Sequence, residues 1–189
     1  MILSEVINLY SLVASLGLIL CLLFLPNISF IFAVSNQSLT FEDNSLGFGF
    51  KYPAMWSQLL EKDLKGTGVH FSPLPTYPKE VFADLLIYTS YHQENKTLEQ
   101  YFHEFISEQL CCIGNQSLKY NKANISGIQS INASWNLTKE DNQVYGKSLL
   151  NFAIKDGVAY VIHYDASLKT FYRWLPEVKK IINSFEILD

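Results

Sequence analysis

The stretch from Val144 to Ala166 decides the fold, and its sequence is VYGKSLLNFAIKDGVAYVIHYDA. Two apolar runs, Val144 to Ile154 and Val158 to Ala166, flank the tripeptide Lys155-Asp156-Gly157. Asp-Gly between two such runs is typical of a type I′ hairpin turn, because both central residues of that turn need a positive φ angle. The stretch therefore predicts two adjacent antiparallel strands.

Further strands are predicted on the amino-terminal side of this hairpin, wherever short runs are rich in β-branched and aromatic residues. They cover Ser38 to Glu42, Leu46 to Tyr52, Thr67 to Ser72, Val81 to Tyr91, Ser117 to Ile125 and Ile128 to Thr138. Pro53 is expected to close the second of them.

Two helices are predicted among the strands. Thr97-Leu98-Glu99-Gln100 matches a capping box, which indicates that a helix starts there. Its apolar residues recur at helical spacing; they are Leu98, Tyr101, Phe102, Phe105, Ile106 and Leu110. A second helix is predicted within Leu168 to Phe185, with Pro176 in its first turn. The fold class is therefore α+β, an antiparallel sheet covered by helices and preceded by one N-terminal hydrophobic helix.

The first third of the chain differs from the rest, since Glu5 is the only charged side chain in its first 41 residues. Leu12 to Leu25 has the composition of a signal peptide, and Ala33-Val34-Ser35 supplies small residues for cleavage after Ser35. The longer stretch from Leu12 to Val34 is also long enough to cross a hydrocarbon layer of ~30 Å as a helix. We expect residues 1–35 to be a signal peptide or a single membrane anchor, and residues 36–189 to be one exported domain.

Charge and motifs narrow the possible functions. Lys and Arg number 14 against 18 acidic residues, so the chain lacks the basic field that binds nucleic acid, and we expect no nucleic-acid partner. The local signatures of common hydrolases, NTPases and dehydrogenases do not occur in the sequence. No catalytic residue and no cofactor are predicted.

The histidines and cysteines leave alternatives open. A metal site, undefined from the sequence, could use His92 with Glu94 or His163 with Asp165. Cys111 and Cys112 are adjacent, and either buried or inert thiols, or a vicinal or intermolecular disulfide, would fit an exported protein.

Sequons for N-glycosylation agree with export, because six of them follow the apolar segment. The candidate acceptors are Asn36, Asn95, Asn115, Asn124, Asn132 and Asn136. Alternation within Ile128 to Thr138 places Asn132 and Asn136 on the polar face of one strand.

Gly47 to Trp56 (GFGFKYPAMW) resembles the opening motif of PsbP-like domains. Asp156 to Val161 (DGVAYV) and Ile181 to Glu186 (IINSFE) are similar to that family in order and spacing. The resemblance covers about Ser38 to Leu188 and is to the divergent archaeal or bacterial type. It implies the Mog1/PsbP-like fold, an antiparallel sheet sandwiched between helices, and its motifs include no catalytic signature.

These observations predict an exported or membrane-tethered accessory domain without catalytic activity. Its expected partners are the membrane, through the N-terminal segment if that segment is not cleaved, and an extracytoplasmic protein that the sequence does not identify. The alternative is an extracytoplasmic protein that binds a small molecule or a metal ion. A third interpretation is a hydrolase whose residues are assembled from distant strands.

Overall fold

A computed structural model describes residues 37–59, 68–73, 82–91, 96–109, 118–139 and 141–188. Ten strands and two helices lie within these ranges. In chain order they are β1 (Ser38–Asp43), β2 (Phe48–Pro53), β3 (Trp56–Leu59), β4 (Gly68–Pro73), β5 (Ala83–Tyr91), α1 (Leu98–Gln109), β6 (Lys119–Ile125), β7 (Ile128–Thr138), β8 (Val144–Lys155), β9 (Val158–Ser167), α2 (Leu168–Asn183) and β10 (Glu186–Ile187). The predicted α+β class is confirmed for this part of the chain.

Seven of the described strands form an antiparallel sheet in the order β3-β4-β5-β9-β8-β7-β6. The β8–β9 hairpin is as predicted: Lys155 pairs with Val158, and Asp156 and Gly157 have φ angles of 51° and 75°. Ser126 and Gly127 make a second turn of this kind between β6 and β7, with φ angles of 51° and 79°. Two-residue turns thus fix the register of the strands on both hairpins.

The β8–β9 hairpin is buried on both faces of the sheet, which explains its nearly continuous apolar sequence. On one face, Leu149, Ile162 and Tyr164 belong to a core that includes Val178 and Ile181 of α2. On the opposite face, Leu150 and Phe152 and their neighbours form a second core beneath α1. The sheet is therefore covered on both sides, as expected for a sandwich.

β1, β2 and β10 form a small antiparallel sheet on the α2 side. Phe48 is fully buried, and its ring stacks on that of Phe185, with the two centroids 5.5 Å apart. Phe50 meets Phe71 of β4 in an edge-to-face arrangement at 5.3 Å. Aromatic contacts therefore join the small sheet to the large one.

The predicted capping box is present at the start of α1. The backbone N–H of Thr97 donates to Oε1 of Gln100 at 2.8 Å, and the backbone N–H of Gln100 donates to Oγ1 of Thr97 at 3.2 Å. Tyr101, Phe102 and Ile106 are buried, so the predicted apolar face is the one that packs on the sheet.

The prediction for Pro176 was wrong. α2 begins at Leu168 and continues through Pro176 to Asn183, so the proline lies in the middle of the helix and not in its first turn. Proline lacks an N–H, which leaves the carbonyl four residues earlier, on Tyr172, without its helical donor. Tyr172 and Pro176 are both exposed, so water can satisfy that carbonyl.

Several predictions concern residues outside the described ranges, among them the N-terminal segment 1–35 and the vicinal pair Cys111 and Cys112. Within the described ranges, neither helix combines the length and the apolar character that a membrane span requires.

β3 and β10 were not predicted, because four and two residues carry too little pattern to recognise as strands.

Candidate functional site

A group of polar side chains interrupts the apolar face of the large sheet on the side of α1. Alternation along β8 and β9 places Ser148 on the same face as Leu150, and His163 and Asp165 on the same face as Val161. His70 on β4 and Asp84 on β5 face the same way, because their neighbours Val69 and Leu85 point into the other core. We call His70, Asp84, Ser148, His163 and Asp165 the polar strip.

The strand register brings these residues together from four strands. Asp84 lies directly opposite Asp165, and Asp165 in turn lies opposite Ser148. Leu86 lies opposite both His70 and His163 and separates the two histidines. Residues directly opposite on one face have Cβ atoms roughly 5 Å apart, so the two carboxylates are close neighbours.

Each carboxylate has a histidine beside it. Nε2 of His70 lies 2.9 Å from Oδ1 of Asp84 and is hydrogen-bonded to it. Nε2 of His163 lies 3.1 Å from Oδ1 of Asp165, but the angle leaves that nitrogen without a hydrogen bond among the described residues. The histidine side chains are 13% and 15% exposed and the carboxylates 41% and 34%, so the acidic groups are the ones open to water.

Asp165 is held in its ionised form. Burial by itself would raise its pKa, but the contact with His163 and the hydrogen bond from Ser148 outweigh burial, and the pKa lies below the ordinary value. A carboxylate of lowered pKa is a weak base. The environment of Asp165 therefore favours a fixed negative charge over proton transfer.

Trp135 of β7 borders the strip opposite Ser148. Its ring centroid lies 5.4 Å from that of His163, and the side chain is 2% exposed. Its Nε1 has no hydrogen-bond partner among the described residues. A buried indole N–H usually finds an acceptor, so this donor is available for one.

The arrangement around Ser148 is the wrong one for a hydrolase. In a serine triad the hydroxyl donates to a histidine, which the carboxylate orients from its other side. Here the hydroxyl of Ser148 donates to Oδ1 of Asp165, and His163 approaches the same oxygen. Among the described residues the hydroxyl of Ser148 donates to a carboxylate of lowered pKa, which is too weak a base to make Ser148 a nucleophile.

The strip does not bring together a metal site either. Within the ranges that the structure describes, no group of three or more His, Cys, Asp or Glu side chains could hold a metal ion. The predicted pair of His163 and Asp165 is confirmed as a contact, but it offers only two ligand groups. The other predicted pair, His92 with Glu94, lies outside the described residues.

A shallow groove of about 450 Å³ runs along the solvent-facing side of α1. It is lined by Lys96, Gln100, His103, Glu104 and Ser107. Nζ of Lys96 bonds Oε1 of Glu104 at 2.6 Å, and Ser107 donates to the backbone carbonyl of Glu104. Because its charged side chains already pair with each other, the groove is an ordinary solvent-exposed helix face.

Three of the six predicted sequons are described, and their asparagines differ. Asn124 is exposed on β6, a strand with a neighbour on one side only. Asn132 is half-buried, and its Nδ2 donates to Oδ1 of Asn151 at 3.0 Å. Asn136 is also half-buried. Alternation places Asn132 and Asn136 on one face as predicted, but this face is partly covered. Asn36, Asn95 and Asn115 lie outside the described residues.

Comparison with known proteins shows the fold. At 14% identity and a TM-score of 0.61, 86% of this chain matches 98% of cyanobacterial PsbP (CyanoP) from Synechocystis sp. PCC 6803. The domain has a PsbP-like fold. The PsbP-like fold also relates it to LpqN of Mycobacterium tuberculosis, a protein involved in cell envelope biogenesis, at 12% identity and a TM-score of 0.54 over 87% of this chain and 99% of LpqN.

A protein from Bacteroides thetaiotaomicron VPI-5482 has the same PsbP-like fold at 13% identity and a TM-score of 0.56; 81% of this chain spans 49% of that protein. No protein-family model matches the sequence. No curated protein matches it either. The similarity is therefore structural. At these sequence identities it establishes the fold, and the function has to be inferred from the site.

Sequence reasoning considered His163 with Asp165, yet it missed His70 with Asp84 as a second pair and Ser148 as their neighbour. These residues lie up to 95 positions apart in the chain, from His70 to Asp165. Only the pairing of β4, β5, β9 and β8 brings them together. The sequence signal that could have revealed these residues is a polar residue within an otherwise apolar strand.

Proposed function

We propose that this protein is an exported, non-catalytic accessory domain that binds a protein partner at the outer face of a membrane. The apolar segment from Leu12 to Val34 tethers it there unless a signal peptidase removes the segment. The PsbP-like fold supports an accessory role, since LpqN, which shares the fold, is involved in cell envelope biogenesis.

One observation supports the proposal that the domain is not catalytic. The most polar cluster on the sheet uses the hydroxyl of Ser148 to stabilise the carboxylate of Asp165, where a hydrolase would use it as a nucleophile. The lowered pKa of Asp165 agrees with a structural role for this carboxylate. The hydroxyl of Ser148 is therefore used within the strip and is not free to attack a substrate.

The experiment is carbonate extraction and intact-mass measurement on one sample of the full chain expressed in its native host. A carbonate-resistant species that retains Met1 and is cut by external protease supports a tethered exported domain. A soluble extracellular species beginning at Asn36 supports export with cleavage and overturns the tether. A species confined to the cytosol and protected from protease in intact cells overturns export itself.

A second candidate function is the binding of a small polar molecule at the polar strip. The observation that favours it is the buried N–H of Trp135, which has no acceptor among the described residues and lies beside His163. A ligand with a neutral hydrogen-bond acceptor, such as a small amide, would satisfy that donor once local motion admits it, without bringing a further negative charge to Asp84 and Asp165.

Thermal shifts with acetamide and propionamide test this candidate on the full chain. We expect a shift that Trp135→Phe abolishes, because phenylalanine keeps the aromatic packing and removes the donor. Trp56→Phe is the matched control, since Nε1 of Trp56 is also buried and without a partner in the described chain but lies in the core on the α2 side. No shift with either amide, or equal loss in both variants, contradicts the candidate.

A further inference from the structure

Four large apolar side chains are exposed together where β8 and α2 begin. Val144, Tyr145, Leu168 and Tyr172 are 36%, 40%, 42% and 60% exposed. Gly146 pairs with Ser167, which places Tyr145 beside Leu168. Tyr172 follows Leu168 by one helical turn and shares its face of α2. We call these four residues the apolar patch.

Cations border the apolar patch. Nζ of Lys147 donates to the hydroxyl of Tyr172 at 2.9 Å and lies 5.2 Å from the centre of its ring. Lys169 lies in the first turn of α2, which has no acidic residue, although the helix dipole favours acidic groups there. Arg173 is exposed one turn later. Lys147, Lys169 and Arg173 thus place three cations around the apolar patch.

The apolar patch lies at the end of the large sheet where the chain enters the domain. The register places Trp56, Ala83, Ala166 and Lys147 in one row across the sheet. Ala54, two residues before Trp56, donates its N–H to the carbonyl of Gln37 at 2.9 Å. Gln37, the first described residue, therefore lies next to this row, at the end of the large sheet that carries the apolar patch.

The length of the connection limits how far this end can lie from a membrane. Between Val34, where the apolar segment ends, and Ser38, where β1 begins, the chain has three residues. The four Cα-to-Cα steps from Val34 to Ser38 span at most about 14 Å when fully extended. If the segment remains in the membrane, as the proposed function holds, the entry point of the domain lies close to the lipid headgroups.

We propose that the apolar patch rests on the lipid surface. Tyr145 and Tyr172 occupy the interface, where tyrosine is enriched because its ring is apolar and its hydroxyl polar. Lys169 and Arg173 face anionic headgroups, which attract nearby cations. The membrane then holds the domain in one orientation, and the opposite end of the sheet, with the Asp156-Gly157 turn, projects away from the lipid. The inference rests on the proposed tether.

Hydroxyl-radical footprinting of the full chain in lipid nanodiscs tests this orientation, because tyrosine oxidation reports the access of water to each ring. Tyr91 is the internal control: it is 82% exposed and pairs with Val158, at the opposite end of the sheet. In nanodiscs containing phosphatidylglycerol, compared with detergent, we expect oxidation of Tyr145 and Tyr172 to fall and that of Tyr91 to stay unchanged.

Variants separate lipid contact from other causes of protection. The double variant Lys169→Gln with Arg173→Gln should lose part of the protection, and Lys119→Gln on the edge strand β6 should lose none. Raising the salt concentration to 1 M should act like the double variant, because the screening length then falls to about 3 Å.

Three outcomes overturn the inference. Oxidation of Tyr145 and Tyr172 that is the same in nanodiscs as in detergent, in a chain that stays in the disc, overturns the lipid contact and leaves the tether standing. Failure of a mature chain to enter the disc overturns the tether as well. Protection in native membranes but not in discs of pure lipid shows that a protein covers the apolar patch, which replaces the lipid with a protein partner.

Discussion

Asp84 of β5 lies directly opposite Asp165 of β9, and each carboxylate is contacted by a histidine. Two like charges in opposite positions of a sheet destabilise it unless other groups compensate. His70 compensates Asp84, and His163 together with Ser148 compensates Asp165. The sheet therefore tolerates this pair of acids only while their partners are in place.

Stability should fall in acid because of Asp165. Its pKa in the folded protein is below that of an unfolded chain, so the folded state binds fewer protons. The stabilisation is complete above the unfolded pKa of about 3.9 and is lost as the pH falls through the folded pKa. Urea denaturation at a series of pH values from neutral to acid measures this.

The variant Asp165→Asn tests whether Asp165 causes the loss of stability in acid. We expect it to lower stability at neutral pH, where it removes the charge that His163 contacts, and to flatten the acid limb of the profile. Asp156→Asn is the matched control, since Asp156 is exposed in a turn whose positive φ angle asparagine accepts. An unchanged acid limb in Asp165→Asn would contradict the assignment.

Phe102 anchors α1 to the sheet. Its side chain is fully buried, and its ring centroid lies 6.3 Å from that of Phe152 on β8. We expect Phe102→Ala to lower the free energy of unfolding by about 3–5 kcal/mol, through lost burial and the cavity left behind. The neighbouring His103 is exposed, so His103→Ala should cost much less. Guanidinium denaturation of both variants compares them, and equal losses would show that α1 is not held through Phe102.

Local features of this fold were predictable because each is encoded within a few residues. Asp156 and Gly157 specify their turn through backbone preference, and Thr97 and Gln100 specify the start of α1 through reciprocal hydrogen bonds. The polar strip was not predictable, because cross-strand register brings its members together and a sequence shows no register between distant strands. The start of α2 was predicted wrongly from Pro176, because packing of the apolar face holds the helix in place and outweighs one missing hydrogen bond.

Gly146 should be intolerant of any side chain. A Cβ atom there would lie 2.6 Å from the backbone carbonyl oxygen of Ala166 and 3.1 Å from the side chain of Leu137. We expect Gly146→Ala to cost at least about 1–3 kcal/mol, since backbone atoms of a central strand cannot move aside freely. Thermal denaturation followed by circular dichroism measures the loss.

Gly127 is the matched control for this prediction, because a Cβ atom there would meet nothing within 4 Å and its φ angle is 79°. Gly127→Ala should cost about 1–2 kcal/mol from the strained backbone alone. Asparagine tolerates that conformation, so Gly127→Asn should recover part of the loss, whereas Gly146→Asn should be worse than Gly146→Ala. Recovery at both positions would contradict a steric cause at Gly146.

Glycosylation should distinguish the sequons of Asn124 and Asn132 when the protein is exported by a host that glycosylates. A glycan on Asn124 would extend from an exposed edge strand into solvent. A glycan on Asn132 would replace one hydrogen of the Nδ2 that donates to Asn151 and would need room on a half-buried face of the sheet, so we expect modification there to oppose folding. We expect the folded, secreted protein to carry a glycan on Asn124 and none on Asn132.

Intact mass of two variants checks this, each removing one sequon. Asn124→Gln should lower the mass of the folded protein by one glycan. Ser134→Ala destroys the Asn132 sequon but keeps the amide of Asn132 and its bond to Asn151, so the mass should change only by the lost oxygen atom. A glycan lost in Ser134→Ala would mean that the half-buried face around Asn132 accommodates a sugar, and would contradict this prediction.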